Sequence, residues 1–341
     1  MIDVLVNGVG TIGKRVAEAV DRQEDMNLYG VSDVSASIGL RTALSGEGDL
    51  EETDLYASTP EGRSRLREDG LEVEGILEEN LEEVDVVVDA TPSGVDEKNK
   101  EKLYEPNGVK AVFQGGAPDD IAEVKFNAST NYEEAIGEDY LKVVSCNTTS
   151  LSRTMSCLEE GFGIEQAVAN LVRRGGDLPQ DSRGPINSTI PVTDVPSHHG
   201  PDVQAVMPDL DITTLAVKVP VTYGHVHMVQ AELEEDVGQR EVLNAFEDRP
   251  RIRLLDAGEG FDSTAKVHEK MRDLGRKRSD MHETGIWRQT VTVENGTVHW
   301  IHMVHQEAIA VPDTVDAVRA VQGIEKQESL EKTNSALGTG K

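Results

Sequence analysis

The chain opens on an apolar run at residues 2–6, a glycine-rich turn, and then apolar positions at Ile12, Val16 and Ala19. The run reads as a buried strand. The spacing of the next three places them on one helix face. Residues 28–32 form a second strand-like run, and 84–89, 109–114 and 141–145 are further short segments rich in Val. Strand and helix signals in turn predict βαβ units and a parallel sheet. After Cys146 the pattern changes. A helix is expected from there, with Leu151, Met155 and Leu158 on one side. Strand-like runs follow at 166–173, 213–222, 225–233, 290–294 and 299–304. Strands clustered in this way predict a mixed or antiparallel sheet in a second domain. Residues 177–199, with four prolines, read as a long loop of the kind that is usually functional or mobile. Residues 312–321 read as a terminal helix, and the polar tail from Glu325 is expected to fray.

Charge narrows the function classes. The 33 basic and 63 acidic side chains leave a formal charge of −30. Such a field repels nucleic acid and anionic membranes. It also repels itself at ordinary salt, whereas at molar salt the Debye length is only about 3 Å. Excess carboxylate, with 14 Lys against 19 Arg, fits a halophilic cytosol. Two cysteines, Cys146 and Cys157, indicate neither a disulfide framework nor a Cys-based zinc site. No apolar run approaches the roughly 18 residues of a membrane span. The chain enters a strand directly, without a charged leader or cleavage site, so the cytoplasm is the expected location.

Gly8, Gly10 and Gly13 form G-x-G-x-x-G after a strand and at the opening of a helix. That context gives the motif its meaning as a dinucleotide cradle. The first glycine allows the tight turn, the second lets backbone approach a pyrophosphate, and the third lets helix and strand pack closely. Free N–H groups near Thr11 and Ile12 lie at the positive end of the helix dipole. Asp33 lies 25 residues past Gly8, at the end of the second strand. A carboxylate there holds a ribose 2′-hydroxyl and repels a 2′-phosphate, which favours NAD over NADP. The expected fold class is therefore α/β. A Rossmann-type doubly wound parallel sheet covers 1–145, and an α+β catalytic domain with a mixed or antiparallel sheet covers 146–305. A C-terminal helical segment, 306–341, packs back on the first domain.

Cys146 sits in V-V-S-C-N-T-T at a strand-to-helix turn, where a helix dipole and free N–H groups stabilise a thiolate. Cys157 falls within a helical pattern and reads as inert. A thiolate nucleophile calls for a base. His225 and His227 lie two apart on a strand and point the same way. That pair also suits zinc, but nothing fixes a third ligand, so no metal is assigned. Arg173 and Arg174 are a basic pair in an acidic chain, suited to phosphate.

Taken in order, N-G-x-G-T-I-G-K-R-V, D-A-T-P-x-G from Asp89, F-Q-G-G from Phe113, S-C-N-T-T from Ser145, R-R at Arg173, G-P-I-N-S from Gly184, V-P-S-H-H-G from Val195, H-V-H at His225 and H-Q-E from His305 carry a resemblance. Over nearly its whole length the chain resembles the archaeal-type (class II) glyceraldehyde-3-phosphate dehydrogenases, and its acidity suggests a haloarchaeal member. The resemblance implies a homotetramer that oxidises glyceraldehyde 3-phosphate with inorganic phosphate to 1,3-bisphosphoglycerate, using NAD or NADP. It implies Cys146 as nucleophile and His225 as base. Ser145, Asn147, His199 and Gly200 match substrate contacts; Thr11, Ile12, Gly116, Arg174 and Gln306 match nucleotide contacts. Arg173 is expected to hold substrate phosphate. Asp33 stands where many relatives carry Lys, which puts NADP use in question. Competing classes are another acyl-phosphate reductase such as aspartate-semialdehyde dehydrogenase, a His-metal hydrolase, and a nucleotide-sensing module.

Overall fold

A computed structural model describes residues 1–46, 48–114, 116–176 and 184–339. Two compact units emerge among the described residues: 1–145 with 310–338, and 146–309 with Thr339. The chain returns to the first unit at Ala310, four residues later than the expected edge at 306. The intervening residues are tied to the second unit, because Ala308 and Ile309 both donate backbone N–H groups to His305 O.

The first unit is built on eight parallel strands: β1 (Ile2–Asn7), β2 (Met26–Asp33), β3 (Leu55–Ala57), β4 (Gly75–Ile76), β5 (Val86–Asp89), β6 (Lys110–Phe113), β7 (Val124–Phe126) and β8 (Tyr140–Val143). Their order is β4-β3-β2-β1-β5-β6-β8-β7. Val4, Leu5, Val6, Val86, Val87 and Val88 are fully buried, as expected of central strands covered on both faces. The chain runs outward from β1 to β4 and then restarts beside β1 with β5. That reversal makes the carboxyl ends of β1 and β5 the topological switch point, the position at which open α/β sheets bind ligands.

The tail beyond Glu325 does not fray as expected. Lys326–Leu337 is a helix packed on the helix Val311–Val321. Its sequence is polar almost throughout, so no apolar stripe announced it. It is held instead by hydrogen bonds from Ser329 and Thr333 to Asp316, at 2.8 and 2.6 Å, and by Arg319, which reaches Thr333 at 2.6 Å.

The second unit carries β9 (Ile164–Arg174), β10 (Ile190–Pro191), β11 (Ile212–Val219), β12 (His225–Leu233), β13 (Ile252–Leu255), β14 (Thr284–Trp287), β15 (Thr292–Glu294) and β16 (Thr297–Val304). The order is β10-β11-β9-β12-β16-β14-β13, with β15 on β16. β11 runs parallel to β9, while β12 is antiparallel to both β9 and β16. The sheet is therefore mixed. The helix Cys146–Phe162 packs Leu151, Met155 and Leu158 into its core with Trp300 and Phe246. Of the expected loop at 177–199, residues 177–183 lie outside the described residues. The remainder holds β10 and leads into the helix His199–Gln204. Among the described residues no helix is long and apolar enough to cross a membrane.

Candidate active site

The glycine turn follows β1 and precedes the helix Gly13–Asp21. Gly8 adopts φ +94°, a conformation that side chains resist. A Cβ on Gly13 would lie 1.8 Å from Gly8 O, so helix and strand meet at a distance that only glycine permits. A Cβ on Gly10 would meet nothing within 4 Å, so its exposed backbone faces open space. Thr11 and Ile12 lie partly exposed at the helix start. These features fit a dinucleotide phosphate: an approachable backbone at the positive end of a helix, with open space where a side chain at Gly10 would stand.

Asp33 closes the turn from the end of β2. Its Oδ2 accepts Val9 N–H at 3.0 Å, and its Oδ1 accepts Val34 N–H at 2.7 Å and Ser35 N–H at 3.3 Å. Beneath the turn lies a buried polar network that the sequence patterns did not single out. Asp89 accepts from Tyr104 Oη at 2.6 Å and from Asn99 at 2.8 Å, while Asn7 donates to Tyr104 at 3.0 Å and accepts from Ser32 and Ser58. Asp89 was visible only as the head of D-A-T-P-x-G. Gly116, past the end of β6, is exposed beside an undescribed residue, with nothing within 4 Å of its Cβ direction.

In the second unit Cys146 is the first residue of its helix, immediately after Ser145. Its Sγ lies 3.6 Å from His225 Nε2. Burial pushes the thiol up to about 11, and the charges of Arg173 and Arg174 and the local N–H groups pull it down by less. Cys157 is buried, with its thiol 3.3 Å from Ala245 O, and burial pushes it up to about 11 as well.

His225 is held far below the ordinary histidine range, first by burial and then by Arg174 and Arg173, with Gln306 acting the other way. The ring is neutral. Its Nδ1 accepts the backbone N–H of Arg174 at 2.9 Å. A backbone N–H can only donate, so the single imidazole proton is on Nε2, facing sulfur.

Arg174 is buried, near Glu307 at 3.8 Å and donating to Gly176 O. Arg173 is half-buried, and its Nε makes no hydrogen bond among the described residues. His199 is fully buried beside it. Its Nδ1 meets Ser197 Oγ at 3.1 Å, and its Nε2 makes no hydrogen bond among the described residues. Burial, Arg173 and His198 together lower its pKa to about 3. Gly200 shares its N–H between Thr214 Oγ1 at 2.9 Å and Ser197 O at 3.0 Å.

Asn147 is buried, and its Oδ1 meets His227 Nε2 at 3.0 Å. His227 in turn meets His302, and His302 meets Trp300. The last two escaped the sequence reading, because in strand 299–304 they look like ordinary core. Their period-two spacing was the available signal. The rings of His225 and His227 are near parallel, 6.4 Å apart. Among the described residues no three His, Cys, Asp or Glu side chains converge in metal-binding geometry.

Comparison with known proteins agrees with this arrangement. Residues 145–270 match the family model for the glyceraldehyde 3-phosphate dehydrogenase C-terminal domain. A glyceraldehyde-3-phosphate dehydrogenase from Methanopyrus kandleri is 49% identical, covering 99% of this chain and 97% of the relative. Relatives of the same name from Thermococcus kodakarensis, 45% identical over 99% of this chain and 98% of the relative, and from Archaeoglobus fulgidus, 44% over 100% and 98%, are also similar. By full-length identity of this order, the chain belongs to the glyceraldehyde-3-phosphate dehydrogenase family.

Proposed function

We propose that the protein oxidises glyceraldehyde 3-phosphate to 1,3-bisphosphoglycerate with inorganic phosphate, reversibly, through Cys146. The observation that carries this reading is the 3.6 Å approach of Cys146 to a neutral His225 at the start of a helix, beside Arg173.

The thiol ionises, its proton passing to solvent, and Sγ bonds to the aldehyde carbon while the carbonyl π pair moves to oxygen. His225 Nε2–H donates first to the thiolate and then to this oxyanion. Asn147 is a second donor, and the helix start adds its dipole. In the resting tautomer His225 gives a hydrogen bond. To serve as the base expected from the sequence, its ring must first release Arg174 N–H. A nicotinamide, when bound, supplies the hydride acceptor for the aldehyde carbon. Cys146 then carries a thioester. A phosphate oxygen attacks the thioester carbonyl, the C–S bond breaks, and the thiolate is restored as the acyl phosphate leaves. Arg173 holds the substrate phosphate in this reading, with Ser145, Asn147, His199 and Gly200 as further substrate contacts.

Gly8, Gly10, Thr11, Ile12 and Gly13 would cradle the dinucleotide, with Gly116, Arg174 and Gln306 as further contacts. The Asp33 carboxylate favours NAD over NADP. The acidic surface suits a cytoplasmic homotetramer working at high salt. Initial rates on glyceraldehyde 3-phosphate, with NAD or NADP and with or without phosphate in high KCl, test the reaction. Cys146→Ser is expected to lower the rate by about 10⁴-fold or more while NAD binding persists. A serine variant with most of its activity would refute the assignment.

A further inference from the structure

Three groups behind Asn147 form a chain of hydrogen bonds whose direction follows from chemistry alone. Trp300 Nε1 carries a proton and no lone pair, so it can only donate. It donates to His302 Nδ1 at 3.0 Å. His302 is buried, and burial lowers its pKa to about 3, so the ring is neutral. With Nδ1 accepting, its one proton lies on Nε2. That proton points to His227 Nδ1 at 2.9 Å. His227, fully buried, is likewise neutral, so its proton lies on its own Nε2. This proton meets Asn147 Oδ1 at 3.0 Å. Ser150 Oγ stands 3.4 Å from His227 Nδ1, but it gives its proton to Asn147 O at 3.0 Å and does not compete.

Register makes this chain possible. His227 and His302 are directly opposed across β12 and β16, and Trp300 lies two residues back on the same face of β16. Each member is fixed by the one behind it, back to an indole with no alternative.

We infer that Trp300, His302 and His227 are positioning residues that lock the Asn147 carboxamide with oxygen inward, so that its Nδ2–H₂ is presented beside Cys146 as an oxyanion donor. With Oδ1 held by His227, Nδ2 is the hydrogen-bonding atom the carboxamide has left to present. A carboxamide turned by half a revolution would present oxygen to a developing negative charge. Uncontrolled, both orientations have similar shape, and only hydrogen bonding chooses between them. The inference rests on Cys146 being the nucleophile, but its first test does not.

Neutron diffraction from the deuterated, unliganded wild-type protein reads the protons directly. Deuterium is expected on Nε2 of both His227 and His302 and absent from Nδ1 of each. Deuterium on either Nδ1 overturns the inference. The second test is kinetic. Trp300→Phe removes the donor and keeps an aromatic ring against Phe246, 5.8 Å away. It is expected to lower kcat about tenfold, a fraction of the 10²–10³ lost when an oxyanion donor is removed outright, with KM for glyceraldehyde 3-phosphate unchanged. His227→Gln, which can still donate to Asn147, should retain more kcat than His227→Leu. Unchanged kcat in Trp300→Phe, or equal loss in the two His227 variants, overturns the inference. If Cys146→Ser proved active while the neutron pattern held, the nucleophile assignment would fail and the proton order would stand.

Discussion

Arg319 and Arg173 are both guanidinium groups drawn out of water, and the fold treats them oppositely. In the first unit Arg319 is fully buried and saturated. It donates to Asp25 twice, at 3.0 and 2.6 Å, to Gln23 at 2.8 Å and to Thr333 at 2.6 Å. In the second unit Arg173 is half-buried, its Nε has no hydrogen-bond partner among the described residues, and burial lowers its pKa. A saturated fork closes a structure, whereas an unsatisfied one waits for an anion. The same residue type is a staple in one unit and a receptor in the other.

The largest expected effect follows from removing the staple. Arg319→Ala leaves Asp25 with Lys332 alone and unties the helix Lys326–Leu337. Breaking a buried pair on one side costs about 3–5 kcal/mol. Denaturant unfolding should show that loss, and a loss below about 1 kcal/mol would place Arg319 with ordinary surface pairs. Arg173→Ala should do the reverse. Stability should hold or rise slightly as a desolvated charge disappears, while kcat/KM for glyceraldehyde 3-phosphate falls by about 2–3 kcal/mol, roughly 10²-fold. A stability loss with intact kcat/KM would make Arg173 a staple too and erase the contrast.

The contrast also explains what the sequence discloses. Buried runs such as Val86–Asp89 are apolar on both faces, so the parallel sheet is legible from hydrophobicity alone. Strands of two to four residues, such as Gly75–Ile76, Ile252–Leu255 and Thr284–Trp287, are too short to show a period. The last helix was hidden because polar tertiary bonds to Arg319 and Asp316 hold it, and local patterns do not record partners distant in the chain. Within the site, Cys146 and His225 stand out because turn context and chemistry coincide. Trp300 and His302 do not, since an aromatic and a histidine in a strand look like core until the register places them behind Asn147. Resting charge was illegible for the same reason. A helix N-terminus favours a thiolate locally, but the burial that reverses the balance is a property of the folded unit.

A smaller effect probes the nucleotide end. Asp33 spends its carboxylate on three backbone N–H groups at the partly exposed end of β2. Asp33→Asn retains size and one acceptor while removing the charge. The ratio of kcat/KM for NADP to that for NAD should rise about tenfold, or ~1.4 kcal/mol. An unchanged ratio would leave Asp33 as a tie for the glycine turn and nothing more.

The smallest effect tests how much of the Arg319 staple is charge. The Arg319 hydrogen bonds and charge, helped by Lys332, hold Asp25 at about 2, below the ordinary 3.8, with burial opposing. The folded state therefore binds this proton less tightly than the unfolded state does. Its stabilisation is complete above about pH 4 and is lost as pH falls through about 2. The carboxylate is partly open to solvent, so the expected loss is only about 1 kcal/mol. It must be smaller than that of Arg319→Ala, because a protonated Asp25 still accepts hydrogen bonds and the guanidinium keeps Gln23 and Thr333. Comparing acid unfolding of the wild type with Asp25→Asn isolates this group, since the variant lacks the titration. Parallel curves for the two between pH 4 and 2 would show that Arg319 is held by its hydrogen-bond geometry, and that the ion pair contributes no pH-dependent stability.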